Sequence, residues 1–387
     1  MNGNPLSIML VCGEPSGDRL GAQLMAAFKA ILGEGVRFSG VGGEAMAAQG
    51  LDSLYSLDAT AVMGLREIVP KIPAILARVR QAADFARDTR PDAVILIDSP
   101  DFTHRVAARI KNIAPRIPTI DYVAPQLWAS RSWRARKMAR TFDLVLALLP
   151  FEPPFFERYG LDCIFVGHPA IERASRMTGG AAFRARHGIA PEAPLLAVLP
   201  GSRTNEIRFI FPEFKKAVAS IAARVPGLVT VIPTVAHVAA RVRAGAANWP
   251  APLVIVESED EKFAAFDAAD AAIAASGTVT TELALARTPM VVAYKVGWLT
   301  TLLMKPFVHF KYATIVNLLL DREAVPEFLQ ARCLAGPIAD AATTLLTDKA
   351  AAARQTADLE EAMRRLGQGG EAPSLRAARA VLEFLKR

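Results

Sequence analysis

The sequence predicts an α/β protein made of two doubly wound, parallel-sheet domains. Three observations carry that prediction. Short β-branched or leucine-rich runs alternate with helical patterns along most of the chain. The runs are continuously apolar, as strands buried on both faces are, and strand–helix alternation implies parallel pairing. The rhythm stops near the middle and then restarts, and 387 residues are enough for two separate cores.

In the first half the strands read as "SIMLVC", "VRFSGV", "AVILID", "PTIDYV", "DLVLALL" and "CIFVG", with helices such as "DRLGAQLMAAFKAIL" and "FTHRVAARIKNI" between them. The break is "GHPAIERASRMTGGAAFRARHGIAPEAP", rich in Gly, Ala, Pro and Arg and without a strand pattern. The second half restarts with "LLAVLP", "LVTVIP", "LVIVE", "AAIAAS" and "MVVAYK". The expected organisation is a first domain over 1–168, a linker over 169–193 and a second domain over 194–336. Residues 337–387 read as helices only, packing back or exchanged in a dimer. Ligand sites of open α/β sheets lie at the carboxyl ends of the strands, so each domain's site is expected there, facing a shared cleft.

Composition narrows the class. The chain is 52% hydrophobic and 21% charged, which suits a folded protein and excludes disorder. Mean hydropathy is slightly positive, yet no apolar run reaches the roughly 18 residues of a spanning helix. The start, "MNGNPLSIMLVCGE", lacks the basic-then-apolar design of a secretory signal and reads as a first strand, which predicts a cytoplasmic protein. Cys12, Cys163 and Cys333 are far apart and read as reduced core thiols. With 45 basic and 38 acidic residues the net charge is +7, which fits an acidic ligand, anionic lipid or nucleic acid. No His/Cys/Asp cluster has metal-ligand spacing, so neither a metal nor a cofactor is expected.

Four turns carry candidate chemistry. In "LPGSRTNEI" a strand runs through Gly201 and Ser202 into a helix, and Arg203 suits bidentate phosphate recognition. In "ASGTVTTEL", Ser276, Gly277 and Thr278 form a second strand-to-helix junction, either an anion seat or a simple cap. Glu282 lies one turn further on the same face, where a carboxylate would accept a ribose hydroxyl. In "CGEPSGDRL", Gly13 and Gly17 bracket Ser16, and Asp18 would open a helix. "AVILIDSPDF" ends a strand on Asp98, placed either to take a proton from a hydroxyl or to cap the next helix.

Two greasy basic stretches remain. "DYVAPQLWASRSWRARKMARTF" sets Arg131, Arg134, Arg136, Lys137 and Arg140 among Trp128, Trp133 and Met138. It suits anionic headgroups, a phosphorylated ligand or a solvated face, and no nucleic-acid motif accompanies it. "VGWLTTLLMKPFVHFKYATIVNLLLDRE" is too short to span a bilayer and reads as interfacial or as core. His168, in "FVGHP", reads as structural.

The strings "CGEPSGD", "GVGGEAM", "VMGLREIV", "IDSPDF", "YVAPQLWA", "LPFE", "FVGHP", "LPGSR", "ASGTVTTEL" and "NLLLDREAVPEFLQ" occur in that order. Together they resemble the lipid-A-disaccharide synthase family, over about Ile8 to Cys333. The resemblance implies the GT-B fold, two Rossmann-like domains facing a cleft. It also implies inverting transfer of 2,3-diacylglucosamine from its UDP derivative to the 6-hydroxyl of 2,3-diacylglucosamine 1-phosphate, releasing UDP. Carried over residue by residue, it makes Asp98 the general base. Gly201, Ser202, Arg203, Ser276, Gly277, Thr278, Glu282 and Asn317 become donor ligands, and Glu14, Ser16, Gly17, Asp18 and Met63 border the acceptor. It further implies peripheral contact with the anionic inner face of the inner membrane of a Gram-negative bacterium, and a homodimer with exchanged C-terminal segments. Pro15, where alanine is frequent, and the threonines of "SGTVTTEL" depart from the family pattern without removing a reactive group. A UDP-N-acetylglucosamine 2-epimerase-like enzyme and a non-catalytic membrane binder are the alternatives.

Overall fold

The computed structural model describes residues 5–57, 65–128, 133–295 and 311–386, with the backbone alone over 65–71. The chain divides into two compact units, Met1–Pro169 with Gly369–Arg387, and Ala170–Gln368. Each holds one six-stranded sheet in which every pairing is parallel.

The first sheet comprises β1 (Leu6–Cys12), β2 (Val36–Val41), β3 (Ala93–Ile97), β4 (Thr119–Tyr122), β5 (Leu144–Ala147) and β6 (Asp162–Phe165). Their order is β2-β1-β3-β4-β5-β6, so the direction of winding reverses between β1 and β3. Cys12 pairs with Ile97, which brings the two strands to an end at one level. Ile8–Cys12 and Ala93–Ile97 are wholly buried, the reason these strands read as unbroken apolar runs. The helix Pro15–Leu32 covers them with Leu20, Leu24 and Phe28, spaced one turn apart.

The second sheet comprises β7 (Leu195–Leu199), β8 (Val229–Pro233), β9 (Leu253–Val256), β10 (Ala271–Ala275), β11 (Met290–Tyr294) and β12 (Glu327–Leu329). The order β12-β11-β10-β7-β8-β9 reverses between β7 and β10, and Leu199 pairs with Ala274 at their ends. The helix Thr204–Ala222 buries Ile207, Ile210, Phe211, Phe214, Val218 and Ile221 against this sheet, a stripe at three- and four-residue spacing.

All eleven strands read from the sequence are present. β12 was not foreseen, because three residues after Pro326, with only the first buried, leave no periodic signal. The stretch expected to be strand-free between the halves contains a 3₁₀ segment, Pro169–Arg176, and the helix Gly180–Arg186. Beyond it, Ala335–Thr347, Lys349–Arg365 and Pro373–Phe384 are helical. The last packs on Pro15–Leu32 of the first unit, where the Arg376 guanidinium donates to the Phe165 carbonyl at 2.8 Å. All three cysteines are buried free thiols. Among the described residues no helix is long and apolar enough to cross a membrane.

Candidate functional site

The four turns singled out in the sequence fall at the two places where the strand order reverses. In doubly wound sheets that is where loops diverge to opposite faces and leave a crevice for ligand.

In the first unit the crevice lies between the turns after β1 and β3. The Ser16 hydroxyl donates to Asp98 Oδ2 at 3.3 Å, and the Ser99 hydroxyl donates to Glu14 Oε1 at 2.7 Å. Asp98 Oδ1 accepts the Ser99 amide at 2.8 Å, which fixes the carboxylate, while Oδ2 takes the longer Ser16 contact. Asp98 and Ser99 both have left-handed backbones, φ 55° and 46°, an uncommon conformation for two consecutive non-glycine residues. Three bonds hold it: Asp98 N–H to the Tyr122 carbonyl, and the Thr103 hydroxyl to the carbonyls of Asp98 and Ser99. Strain stabilised by its surroundings is a mark of ligand-facing turns. The close approach of β1 and β3 and their turns dictates these glycines. A Cβ on Gly13 would lie 2.8 Å from Ser99 Cβ, and one on Gly17 would lie 2.9 Å from Cys12 Cβ and 3.1 Å from the Ile97 carbonyl oxygen.

Asp18 does not share this crevice chemistry. It sits in the first turn of Pro15–Leu32 with its carboxylate buried, accepting the amides of Gly43, Ala45 and Met46 at 2.7, 2.9 and 3.0 Å. These amides begin the short helix Glu44–Ala48, so Asp18 satisfies a neighbouring helix N-terminus and locks the "GVGGEAM" turn beneath the site. Met63, Arg131 and segment 296–310 lie outside the described residues.

In the second unit the crevice lies between the turns after β7 and β10. Gly201 has φ 106°, and a Cβ there would fall 2.3 Å from Glu206 Oε2, so only glycine fits. Glu206 is buried, and its Oε2 accepts the amides of Ser202 and Arg203 at 3.0 and 3.1 Å. The protein's own carboxylate therefore occupies these two amides. What faces solvent is the Arg203 side chain, 72% exposed and touching Glu206 Oε1 at 3.3 Å. The His237 ring also meets the Ser202 carbonyl at 2.7 Å, a contact that sequence reading missed. At the other turn the Ser276 amide bonds Ala293 of β11 and the Thr280 amide bonds the Gly277 carbonyl at 3.1 Å, so the Thr278 and Val279 amides are the ones that open the helix without an acceptor inside it. Gly277 and Thr278 are exposed.

Glu282 and Asn317 are buried and already engaged. Glu282 accepts from Arg173 at 3.2 Å and Lys262 at 3.0 Å, so the expected ribose acceptor is the centre of a three-residue ion cluster. Asn317 donates to the Val325 carbonyl and Glu327 Oε1, both at 2.7 Å, and accepts the amides of Ala324 and Val325, both at 2.8 Å. Two donor and two acceptor positions exhaust a carboxamide, so Asn317 holds the chain and has nothing left for a ligand in this arrangement. Glu327, which the sequence did not single out, is the hub. It also accepts Ala313 N–H, Thr314 N–H and the Thr314 hydroxyl, all within 2.8–2.9 Å, and so sets the Ala313 carbonyl 3.4 Å from the Ser276 hydroxyl. The signal was present in "NLLLDREAVPEFLQ", which contains both residues, but their ten-residue separation fits no helix or strand period.

Two parallel-sheet units with their candidate residues at the switch points define the GT-B fold. The S. aureus MnaA–UDP co-structure superposes with a TM-score of 0.67 at 14% identity, covering 99% of this chain and 97% of that one. The calicheamicin glycosyltransferase does so at 0.59 and 17%, covering 100% and 99%. More particularly, the chain belongs to the lipid-A-disaccharide synthase family. The family model described as lipid-A-disaccharide synthetase matches residues 8–381. The lipid-A-disaccharide synthase of Rhodospirillum centenum is 46% identical over 383 residues, 99% of this chain and 96% of its own.

Proposed function

We propose that the chain transfers 2,3-diacylglucosamine from its UDP derivative to the 6-hydroxyl of 2,3-diacylglucosamine 1-phosphate, with inversion. The observation that carries this reading is the unlike chemistry of the two switch points, each within its own unit: carboxylates and hydroxyls at the first, glycines, helix amides and Arg203 at the second. Asp98 Oδ2 takes the proton as the acceptor oxygen attacks the anomeric carbon. The C–O bond to the β-phosphate breaks, and its electron pair leaves with UDP. Arg203 and the Thr278 and Val279 amides at the N-terminus of Thr278–Leu285 stabilise the charge that develops on the departing diphosphate. Glu14 and Ser99 keep the Asp98 turn in place. Glu282 and Asn317 act one layer back, through Arg173 and Lys262 and through Glu327.

UDP in the related fold is bound by the S. aureus protein, which supports a nucleotide donor here. The epimerase alternative rests on fold likeness alone, whereas the synthase reading rests on family membership across the chain. Peripheral contact with an anionic leaflet is part of the proposal. It is supported by exposed Ile72 and Leu76, one turn apart on Leu65–Thr89, and by Trp133, 68% exposed. A homodimer is also carried as part of it, and a monomeric mass by light scattering would remove that element. The deciding experiment is incubation of the protein with both acylated substrates, scoring UDP and disaccharide. Sugar inversion without disaccharide would favour the epimerase.

A further inference from the structure

The first unit has a cavity of about 230 Å³ that none of the roles above uses. It opens between the helix Pro100–Ile113 and the segment that ends in the helix Arg134–Met138. Its lining includes Pro100 and Asp101, two and three residues beyond Asp98, so it adjoins the carboxylate turn.

Three cations line it, Arg105, Arg134 and Lys137, against the single carboxylate of Asp101. Among the described residues none of the three makes an ion pair. On the same helix as Arg105, Arg109 pairs with Asp84 at 3.4 Å and Lys111 pairs with Asp143 at 2.6 Å. What marks the cavity is the convergence of three cations on one concavity with a single carboxylate. His104 adds a ring to the lining and is anchored from behind, with Nε2 3.4 Å from Oδ1 of the wholly buried Asp121. Its ring packs edge-on to Phe142 at 4.9 Å between centroids, which fixes the second face. The remaining wall is apolar, and Trp133 stands at it 68% exposed.

The Arg105 Nε donates to the Asp101 carbonyl at 2.8 Å, and no carboxylate pairs with any of the three cations among the described residues. A pocket that sets such guanidinium and ammonium groups beside an open aromatic wall fits an oxyanion attached to an apolar body. From Asp101 to Arg105 the helix rises about 6 Å at 1.5 Å per residue, comparable to the span of one hexose ring. We propose that this cavity holds the phosphate of the acylated sugar acceptor. The phosphate oxygens sit on Arg105, Arg134 and Lys137, an acyl segment lies along Trp133, and the opposite end of the sugar is directed to Asp98. This rests on the transfer reading above and adds to it the residues that choose a phosphorylated acceptor.

The test compares two acceptors, the diacylglucosamine 1-phosphate and the same sugar without phosphate, in detergent micelles with saturating UDP donor. Wild-type kcat/KM should favour the phosphorylated acceptor roughly ten- to a hundredfold, the usual worth of a hydrogen bond to a charged group. The double variant Arg134→Ala/Lys137→Ala should lose most of that preference, with donor KM and the rate on the phosphate-free sugar unchanged. Arg105→Gln should reproduce the effect in part, and matching melting curves establish that both variants fold. A double variant that keeps the wild-type preference overturns the proposal. So does one that keeps it while losing sedimentation with phosphatidylglycerol vesicles, because the cations would then serve membrane headgroups. A wild-type protein that turns over neither acceptor overturns the transfer reading itself, an outcome distinct from both.

Discussion

The two switch points obey one topological rule and present opposite chemistry. Between β1 and β3 the loops meet through side chains: Ser16 on Asp98 and Ser99 on Glu14. Between β7 and β10 they present glycine turns, a helix N-terminus and an exposed arginine, with Glu206 filling the amides of one loop from within. A sheet reversal therefore supplies a crevice and no particular reactivity. Which residues end the strands decides whether the crevice moves protons or holds an anion.

The comparison breaks most visibly at Asp98. Asp98→Ala should lower kcat by roughly 10²–10⁴-fold, the range of a general base, while UDP affinity measured by calorimetry stays at the wild-type value. A variant that transfers normally would remove Asp98 from the chemistry. Arg203→Ala should behave differently, losing roughly 10²–10³-fold in kcat together with UDP affinity. If the two variants gave the same pattern, the division of labour between the units would be wrong.

Behind the second crevice, Asn317→Ala would remove one of four hydrogen bonds to the Glu327 carboxylate and strand the buried Val325 amide and carbonyl, together with the half-buried Ala324 amide. A loss of about 3 kcal/mol or more in urea unfolding is expected. Unchanged stability with weakened UDP binding would instead make Asn317 a ligand.

The smallest effect belongs to the first unit and depends on pH. Burial raises the Glu152 carboxyl to about 7 from 4.5, against the lowering pull of the Leu149 amide and the Trp128 indole. The folded state binds this proton more tightly than the unfolded state does. Its contribution is therefore fully present below about pH 4.5 and is lost as pH rises through about 7. Glu152→Gln carries no such charge, so its stability relative to wild type should improve by about 2–3 kcal/mol between pH 5 and pH 8. A gap that stays constant between those two melts would contradict the assignment.

Much of this was legible in the chain. Strands such as "AVILI" announce themselves because both faces are buried. The Gly201 and Asp98 turns stand out because a reactive or flexible residue sits where an apolar run stops. Roles that depend on distant partners were not legible. Asp18 reads as a helix opener, and its carboxylate belongs to amides 25 to 28 residues away. Glu282 reads as a ribose acceptor, yet one of its cations, Arg173, comes from a stretch that resembled a linker.

The sequence by itself determined the α/β class, eleven of the twelve strands among the described residues, the family and the four turns, since each is written in local period, composition or motif. Only the tertiary structure decided which candidates are free to meet a ligand. A polar side chain's availability depends on what else has already satisfied it, and hydrogen-bond partners such as Asn317 and Val325, or a cavity joining Arg105 to Lys137, are set by packing rather than by spacing.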